Sequence, residues 1–340
     1  MDNGREYTLA VVIPCWNCES YIGAMLDCLL NQTFSDWRAF LIDDGCTDKT
    51  ADVIRSYAVK DGRIIYYMRD RGPKGAPTCR NIGFDLSKGA EYLVFLDGDD
   101  LVAPYCFEQR VRNIEREEKA DFLSFPAKAF SSDPYDELRW GFGIKGHQDV
   151  LLSLLNWRTL SIVVNTNIYR RSSLVDKEMV WDERLLSMQD ADFNIQAICK
   201  GLNQGFAEGS QIDYFYRVVS DSVSKKINVR EHKESHLYLV DKEIHSIRTV
   251  YGKQYDFYLK AYIVVFFELF QKEKWPYKQL LKQPFVKSQP FFALRLLVYI
   301  VLGLRGKRRL FKAYCRYNEK SIKDWNACVA DKIKELVAQS

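Results

Sequence analysis

In the first hundred residues, short runs of β-branched and aromatic residues alternate with stretches whose apolar positions recur every three or four residues. Strand then amphipathic helix, repeated, is the pattern of a parallel sheet with crossover helices. Strands are expected at Leu9 to Ile13, Arg38 to Ile42, Ile64 to Met68 and Tyr92 to Leu96. Between the first two, Ile22, Met25, Leu26, Leu29 and Leu30 follow Ser20, a suitable helix cap. A second helix is expected from Thr47 or Asp48, burying Val53, Ile54 and Tyr57. A third runs from about Pro77, suited to a first helical turn, to a stop at Gly89.

From Asp121 to Tyr216 the pattern is mixed, with apolar runs at Phe122 to Phe125 and Ile162 to Val164 and a helix around Asp190 to Cys199. This reads as the second half of the same domain. After about Lys225 helical periodicity dominates, at Val229 to Val250, Tyr255 to Gln271, Phe291 to Leu304 and Ser321 to Val337. The expected organisation is an α/β domain over residues 1–224 followed by a helical region over 225–340.

Composition adds three points. A chain of 340 residues, 47% hydrophobic and 28% charged, has the makeup of a folded globular protein with ample core. The opening Met1 to Glu6 carries charge and no apolar run, unlike a secretory signal, so a cytoplasmic location is expected, with the nine cysteines as reduced thiols. The net charge of +4 is uneven: Lys272 to Arg316 holds twelve Lys/Arg against Glu273 alone, a net +11 that leaves −7 for the remainder. A basic segment is thus attached to a mildly acidic body.

In an open parallel sheet, ligands sit at the carboxyl ends of the strands. Here the second strand runs into Asp43-Asp44-Gly45, the third into the loop Arg69 to Thr78, and the fourth into Asp97-Gly98-Asp99-Asp100. Asp97-Gly98-Asp99 alone reads as an Asp-Gly turn. With Asp43 and Asp44 at the same edge it reads as a carboxylate cluster that Mg²⁺ or Mn²⁺ would compensate, phosphate oxygens completing the coordination. Asp44 suits the N3–H of a uracil, while Asp43 caps or orients the loop. Arg80, just inside a helix, holds pyrophosphate charge or forms an ion pair with Asp97 or Asp99. Asp190, near the start of a helix, serves as general base or complements the helix dipole, with Asp192 and Glu183 next in line as bases.

Together, Val11-Val12-Ile13-Pro14 with Asn17 and Tyr21, Leu29 to Phe34, Asp43 to Asp48, Arg80-Asn81-Ile82-Gly83, Phe95 to Asp100 and Gln189-Asp190 resemble, in order and spacing, the family-2 inverting glycosyltransferases of GT-A fold. The resemblance covers roughly residues 7 to 224. It implies a GT-A-like, mostly parallel sheet with flanking helices and transfer of a sugar from a UDP-sugar to an acceptor hydroxyl. It further implies that Pro14 and Asp44 flank the uracil, that Asp97 and Asp99 form the metal-binding DXD motif for Mn²⁺ or Mg²⁺, and that Asp190 is the catalytic base. Tyr216-Arg217, with Ser222 and Ser224, resembles the loop that closes over the diphosphate. Three departures stand out: Cys46 replaces a usual serine, Gln189 replaces the glutamate before the base, and Cys15-Trp16-Asn17-Cys18 forms a C-x-x-C.

Other readings fare worse. A dinucleotide-binding oxidoreductase needs a glycine-rich first turn, and Pro14 to Ser20 has no glycine. A thiol redox protein built on Cys15 and Cys18 leaves the acid clusters unexplained, and a zinc site from that pair lacks a second pair. His147, His232, His236 and His245 lie far along the chain, His232 and His236 as expected surface residues. Gln189 raises the reading of a decayed, sugar-nucleotide-binding scaffold, against which stand Asp99 and Asp190 together. The basic segment carries no recognisable nucleic-acid motif and sits beside aliphatic runs, so no nucleic-acid partner is expected. A glycan or lipid-linked acceptor is expected instead. At Phe291 to Leu304 the apolar run is too short to span a bilayer but fit to lie on an anionic membrane, with Phe291, Phe292, Leu296, Leu297, Ile300 and Leu304 toward lipid and Arg305, Lys307, Arg308 and Arg309 toward phosphates.

Overall fold

A computed structural model describes residues 6–130, 141–142, 163–218, 229–256, 259–260, 262–263, 275–294 and 296–297. The described residues up to 218 fall in one compact unit and those from 229 in a second.

The first unit is built on β1 (Tyr7–Cys15), β2 (Trp37–Asp43), β3 (Ile64–Met68) and β4 (Ala90–Phe95), with α1 (Ile22–Leu30), α2 (Thr50–Ala58) and α3 (Ala76–Leu86) as crossovers. After β5 (Leu101–Val102) and α4 (Cys106–Arg116) come β6 (Phe122–Ser124), β7 (Ala127–Phe130), β8 (Gly141–Phe142), β9 (Asn167–Arg170), α5 (Arg171–Asp176), α6 (Gln189–Cys199), β10 (Gln204–Phe206) and β11 (Tyr214–Arg217). The main sheet has the order β10-β6-β9-β4-β1-β2-β3, and a smaller one β5-β11-β7-β8. All pairs of the main sheet are parallel except those of β9, which runs against β4 and β6. This is the mostly parallel α/β sheet expected from the alternation.

β1 shows why the sheet is covered on both sides. Leu9, Val11, Ile13 and Cys15 join one core with Ile22, Met25, Leu26 and Leu29 of α1, while Tyr7, Ala10 and Val12 join the other with Cys79 and Ile82 of α3. A strand apolar at every position from Leu9 to Ile13 has no face there to offer water. Gly83 brings α3 close: a Cβ there would lie 2.3 Å from Val12 Cγ1. Register sets the edge that matters, since Cys15 pairs with Asp43 and Asp43 with Met68, so the three chains leave the sheet side by side.

Several boundaries differ from the sequence expectations. Ser20 is not the cap of α1; Tyr21 is, with no side-chain bond, because the Tyr21 and Ile22 amides donate to the Cys18 carbonyl at 2.9 Å each. Asp48 Oδ1 accepts the Thr50 amide at 3.0 Å and starts α2 there. α3 ends at Leu86, before Gly89, where the Ser87 amide closes on the Gly83 carbonyl. At the run Ile162 to Val164, the described Val164 begins a 3₁₀ turn, Val164–Thr166, and the strand follows it as β9. Thr166 in the turn and Asn167 just after it are buried with their side chains hydrogen-bonded inside the protein, which an apolar count does not register, while the Asn165 side-chain amide nitrogen is buried with no partner among the described residues.

The second unit contains α7 (Arg230–Tyr251), α8 (Trp275–Lys282) and α9 (Pro284–Lys287). His236, expected at the surface, is 1% exposed, with Nδ1 2.6 Å from the His232 carbonyl one turn earlier and burial pushing its pKa down. Leu296 is likewise buried, whereas Phe291, Leu294 and Leu297 are 89%, 58% and 45% exposed. These three recur every third residue, a narrow stripe that leaves Leu296 on the opposite side. Among the described residues no helix is long and apolar enough to cross a membrane. The expected helix Ser321 to Val337, and Ile300, Leu304, Arg305, Lys307, Arg308 and Arg309, lie outside the described residues.

Candidate active site

Each carboxylate at the sheet edge has a distinct environment. Asp43 faces back into the protein: its Oδ1 accepts the Gly45 and Cys46 amides at 3.0 and 2.7 Å, and its Oδ2 accepts the Tyr66 hydroxyl at 2.6 Å. Burial works to raise its pKa, but these donors outweigh it and hold the carboxyl below the usual range. Asp43 therefore orients the loop, one of the two roles open to it. Gly45, with φ +82, allows the chain to turn there.

Asp44 is also buried, with Oδ1 accepting Arg69 Nε at 2.6 Å and the Gly75 amide at 3.1 Å. The buried Cys79 thiol also lies within hydrogen-bonding reach of this carboxylate; burial, and then the carboxylate, push the thiol pKa up. Pro14, paired with Ile42 one residue before the end of β1, is the one position of that strand not fully buried. Asn17, held at φ 47, joins the first loop to the second: its Oδ1 accepts the Thr47 amide at 2.8 Å and its amide lies 3.4 Å from Cys46 Sγ. Cys46 Sγ in turn donates to the Cys15 carbonyl at 3.4 Å, so the residue that departs from serine still donates a bond from its side chain.

Arg80 links the parts that lie far apart in sequence. Its guanidinium donates from Nη2 to Asp97 Oδ1 at 2.7 Å and from Nη1 to Gln189 Oε1 at 3.2 Å, and it lies 4.5 Å from the Trp181 ring centroid. The ion pair with Asp97, one of the sequence alternatives, is present. Gln189 Nε2 donates to the Leu185 carbonyl at 3.1 Å, which fixes which end of the amide meets Arg80. Asn81 on the same helix donates to the Trp181 carbonyl and to Glu183, which pairs with Arg71 at 2.7 Å.

Asp99 has no hydrogen bond from another side chain among the described residues. Burial, and then repulsion by Asp97, push its carboxyl up to about 6. Asp97 keeps a third of its side chain exposed. A carboxylate that burial and a neighbouring aspartate push toward the protonated form, with no side-chain donor to offset them, is suited to a hard divalent cation, whose remaining ligands would be phosphate or water. No cluster of three or more protein ligands occurs among the described residues. Asp190 opens α6 after Met188, which adopts φ 59. Burial raises its pKa, Arg80 opposes the rise and Asp97 adds to it.

Sequence reasoning passed over Asp100. It is 1% exposed, accepts the Tyr214 hydroxyl at Oδ2, and accepts the Arg217 amide at Oδ1 at 2.6 Å. Arg217 Nε donates to the Asp99 carbonyl at 2.7 Å, and its guanidinium lies 4.6 Å from the Phe130 ring centroid and 5.1 Å from that of Tyr21. The acid was visible in the sequence, but its partners on β11 were not. Arg69, the partner of Asp44, had only its place after the third strand to mark it. Ser222 and Ser224 lie outside the described residues.

Residues 10–177 match the family model described as Glycosyl transferase family 2. Among curated proteins the chain is similar to the uncharacterized glycosyltransferase EpsJ of Bacillus subtilis, 24% identical over 64% of this chain and 63% of that protein. It is also similar to the poly(ribitol-phosphate) beta-glucosyltransferase of Bacillus spizizenii, 25% identical over 63% of this chain and 32% of that protein. It spans less than two thirds of the length of these relatives. Among solved structures, residues 1–349 of Staphylococcus aureus TarS in complex with UDP-GlcNAc match at TM-score 0.68 and 19% identity, over 91% of this chain and 92% of that one. The likeness confirms the GT-A fold.

Proposed function

From the premise that residues 10–177 form a glycosyl transferase family 2 domain, we propose that this chain transfers a sugar from a UDP-sugar to an acceptor hydroxyl with inversion, in the synthesis of a cell-envelope or capsular polysaccharide. The observation that carries the reading is the Arg80 bridge. One guanidinium ties the Asp97–Asp99 turn to the helix start that bears Asp190. A place to hold a diphosphate and a place to take a proton therefore sit on a common frame.

In this reading Pro14 and Asp44 border the uracil, the Asp44 carboxylate accepting the base N–H. Arg80 and Arg217 face the diphosphate. Asp99, with the second oxygen of Asp97, would hold Mg²⁺ or Mn²⁺, which when bound supplies positive charge against the leaving diphosphate. The acceptor oxygen attacks the anomeric carbon as the bond from that carbon to the diphosphate oxygen breaks. Its proton passes to Asp190, and UDP departs with the electron pair. A single displacement converts an α-linked donor to a β-linked product. A raised pKa suits Asp190 to take a proton at near-neutral pH and release it to water afterwards.

The acceptor is a glycan or lipid-linked glycan, consistent with the poly(ribitol-phosphate) named for one relative. The enzyme works on the cytoplasmic side, at an anionic membrane surface. The support for this is the stripe of Phe291, Leu294 and Leu297 in a stretch, residues 274–318, that contains eleven Lys/Arg and no acid. Co-sedimentation with anionic but not neutral vesicles, reversed by salt, is expected; no anionic preference at low salt rejects the attachment.

The decisive test is a panel of UDP- and GDP-sugars with Mn²⁺, scored for release of nucleoside diphosphate with and without EDTA. Turnover of a UDP-sugar, suppressed by EDTA, supports the reading. A chain that binds UDP but turns over no donor on the panel, with or without acceptor glycans, would be a scaffold.

A further inference from the structure

Beneath the helix that carries Asp190 lies a row of buried polar side chains that the proposed reaction does not use. Asn194, four residues after Asp190 and 1% exposed, accepts at Oδ1 from Asn167 Nδ2 at 3.2 Å and from the Tyr169 hydroxyl at 3.4 Å. Asn167 is fully buried; its Nδ2 also donates to the Tyr169 hydroxyl at 2.7 Å, and its Oδ1 accepts the Ser124 hydroxyl at 2.6 Å. Ser124 Oγ accepts Gln204 Nε2 at 2.8 Å. The row thus ties α6 to β9, β6 and β10.

We infer that the Asn167–Asn194 amide pair is a positioning device for Asp190, fixing the rotation of α6 about its axis and with it the direction of the base. The inference rests on the assignment of Asp190 given above.

Residues four apart on a helix share a face, so an anchor at Asn194 also sets the bearing of Asp190. Beside Asn194, Phe193 packs on aromatic rings: it stacks on Trp181 at 4.3 Å and meets Phe95 and Tyr169 edge-on at 5.9 and 5.8 Å. Aromatic surfaces tolerate small sliding. Hydrogen bonds do not, and a buried amide that loses its partner costs about 1–3 kcal/mol. With Cα atoms at about 2.3 Å from the axis, a rotation of about 20° moves a side-chain tip by about 1 Å or more. A misplacement of that size can cost about a hundredfold in rate. Asp190 also adds to the raised pKa of the Tyr169 phenol, a sign that the base and this row lie within electrostatic reach of each other.

The test compares Asn194→Leu, Asn194→Asp and Asp190→Asn, alone and combined, by turnover and by UDP affinity. Asn194→Leu is expected to lower kcat about ten- to a hundredfold while UDP affinity stays within about twofold. Asn194→Asp keeps an acceptor oxygen for both donors and is expected to recover most of the lost turnover. In the Asp190→Asn background, Asn194→Leu is expected to add no further loss, because it acts through the missing carboxylate. A kcat within twofold of native for Asn194→Leu, an equal loss in both backgrounds, or a parallel fall in UDP affinity overturns the inference. Full turnover in Asp190→Asn overturns instead the assignment of the base. Should Asn194→Leu fail to fold, Tyr169→Phe removes a single hydroxyl from the row; a several-fold fall in kcat with unchanged UDP affinity supports the inference and no fall rejects it.

Discussion

Asp99→Asn is expected to make the metal-free protein more stable near neutral pH. The Asp99 carboxyl is pushed up to about 6, from an ordinary 3.8, by burial and by Asp97. At about 1.4 kcal/mol per pH unit, that difference corresponds to about 3 kcal/mol. The sign follows from proton linkage. The folded state binds the Asp99 proton more tightly than the unfolded chain, so this contribution favours folding below about 4 and is lost as pH rises through about 6. At pH 7.5 the native protein therefore carries a partly buried charge, only partly offset by Arg217, that asparagine removes. No side-chain hydrogen bond is lost among the described residues. For a unit of about two hundred residues, 3 kcal/mol corresponds to roughly 6–12 °C in Tm. Melting curves with EDTA at pH 7.5 and pH 4.5 read this directly: a gain for Asp99→Asn at the higher pH, shrinking at the lower. Mn²⁺ should raise the Tm of the native protein and leave the variant almost unmoved. An Asp99→Asn protein that melts at or below the native temperature at pH 7.5 refutes the reasoning.

Asp190→Asn is expected to lower turnover about a hundredfold or more with UDP affinity nearly unchanged, measured by steady-state kinetics and calorimetry. The base must be deprotonated, so native kcat/KM should fall on the acid side at a pH above the ordinary carboxylate range; Arg80→Gln, which removes the charge that lowers Asp190, should move that limb higher still. Gly83→Ala places a methyl 2.3 Å from Val12 Cγ1 and should cost about 1–3 kcal/mol by denaturant titration, partly recovered by Val12→Ala. Arg110 and Asp213, both fully buried and paired at 2.8 Å, predict a loss of about 3–5 kcal/mol for Arg110→Met, with a smaller loss when Asp213→Leu is added.

The first four strands and three crossover helices could be read from the chain because each is a local pattern: apolar runs for strands covered on both sides, three- and four-residue spacing for helices. The acids at the strand ends followed from the same patterns. What escaped was decided by distant partners. Thr166 and Asn167 look like loop residues, yet they are buried because Ser124, Tyr169 and Asn194 meet the side chain of Asn167 and the 3₁₀ turn satisfies Thr166. His236 is polar and helical, features that suggest a surface site until the elements packed on α7 are known. The exposure of Leu294 and the burial of Leu296 are set by about half a turn of helix between them, which a run of adjacent apolar residues does not specify. At the site, the residue types indicated which groups could bind metal or take a proton, but that Arg80 joins Asp97 to Gln189 depends on a fold that brings positions 80, 97 and 189 together.

The tie of Asp100 to Tyr214 and Arg217 changes how loss-of-function data on the acidic turn should be interpreted. Three aspartates within four residues invite the view that each meets the ligand. Here one of them is a peg: both its oxygens are occupied by β11, and the same strand holds the Asp99 carbonyl through Arg217. An alanine scan would score Asp97, Asp99 and Asp100 alike, for different reasons. The peg also gives the turn a mechanical partner. Arg217 cannot swing fully toward a diphosphate and keep its bond to the Asp99 carbonyl, so donor capture by that arginine would slacken the backbone beside the carboxylate proposed to hold the metal, at the moment the leaving group must be held.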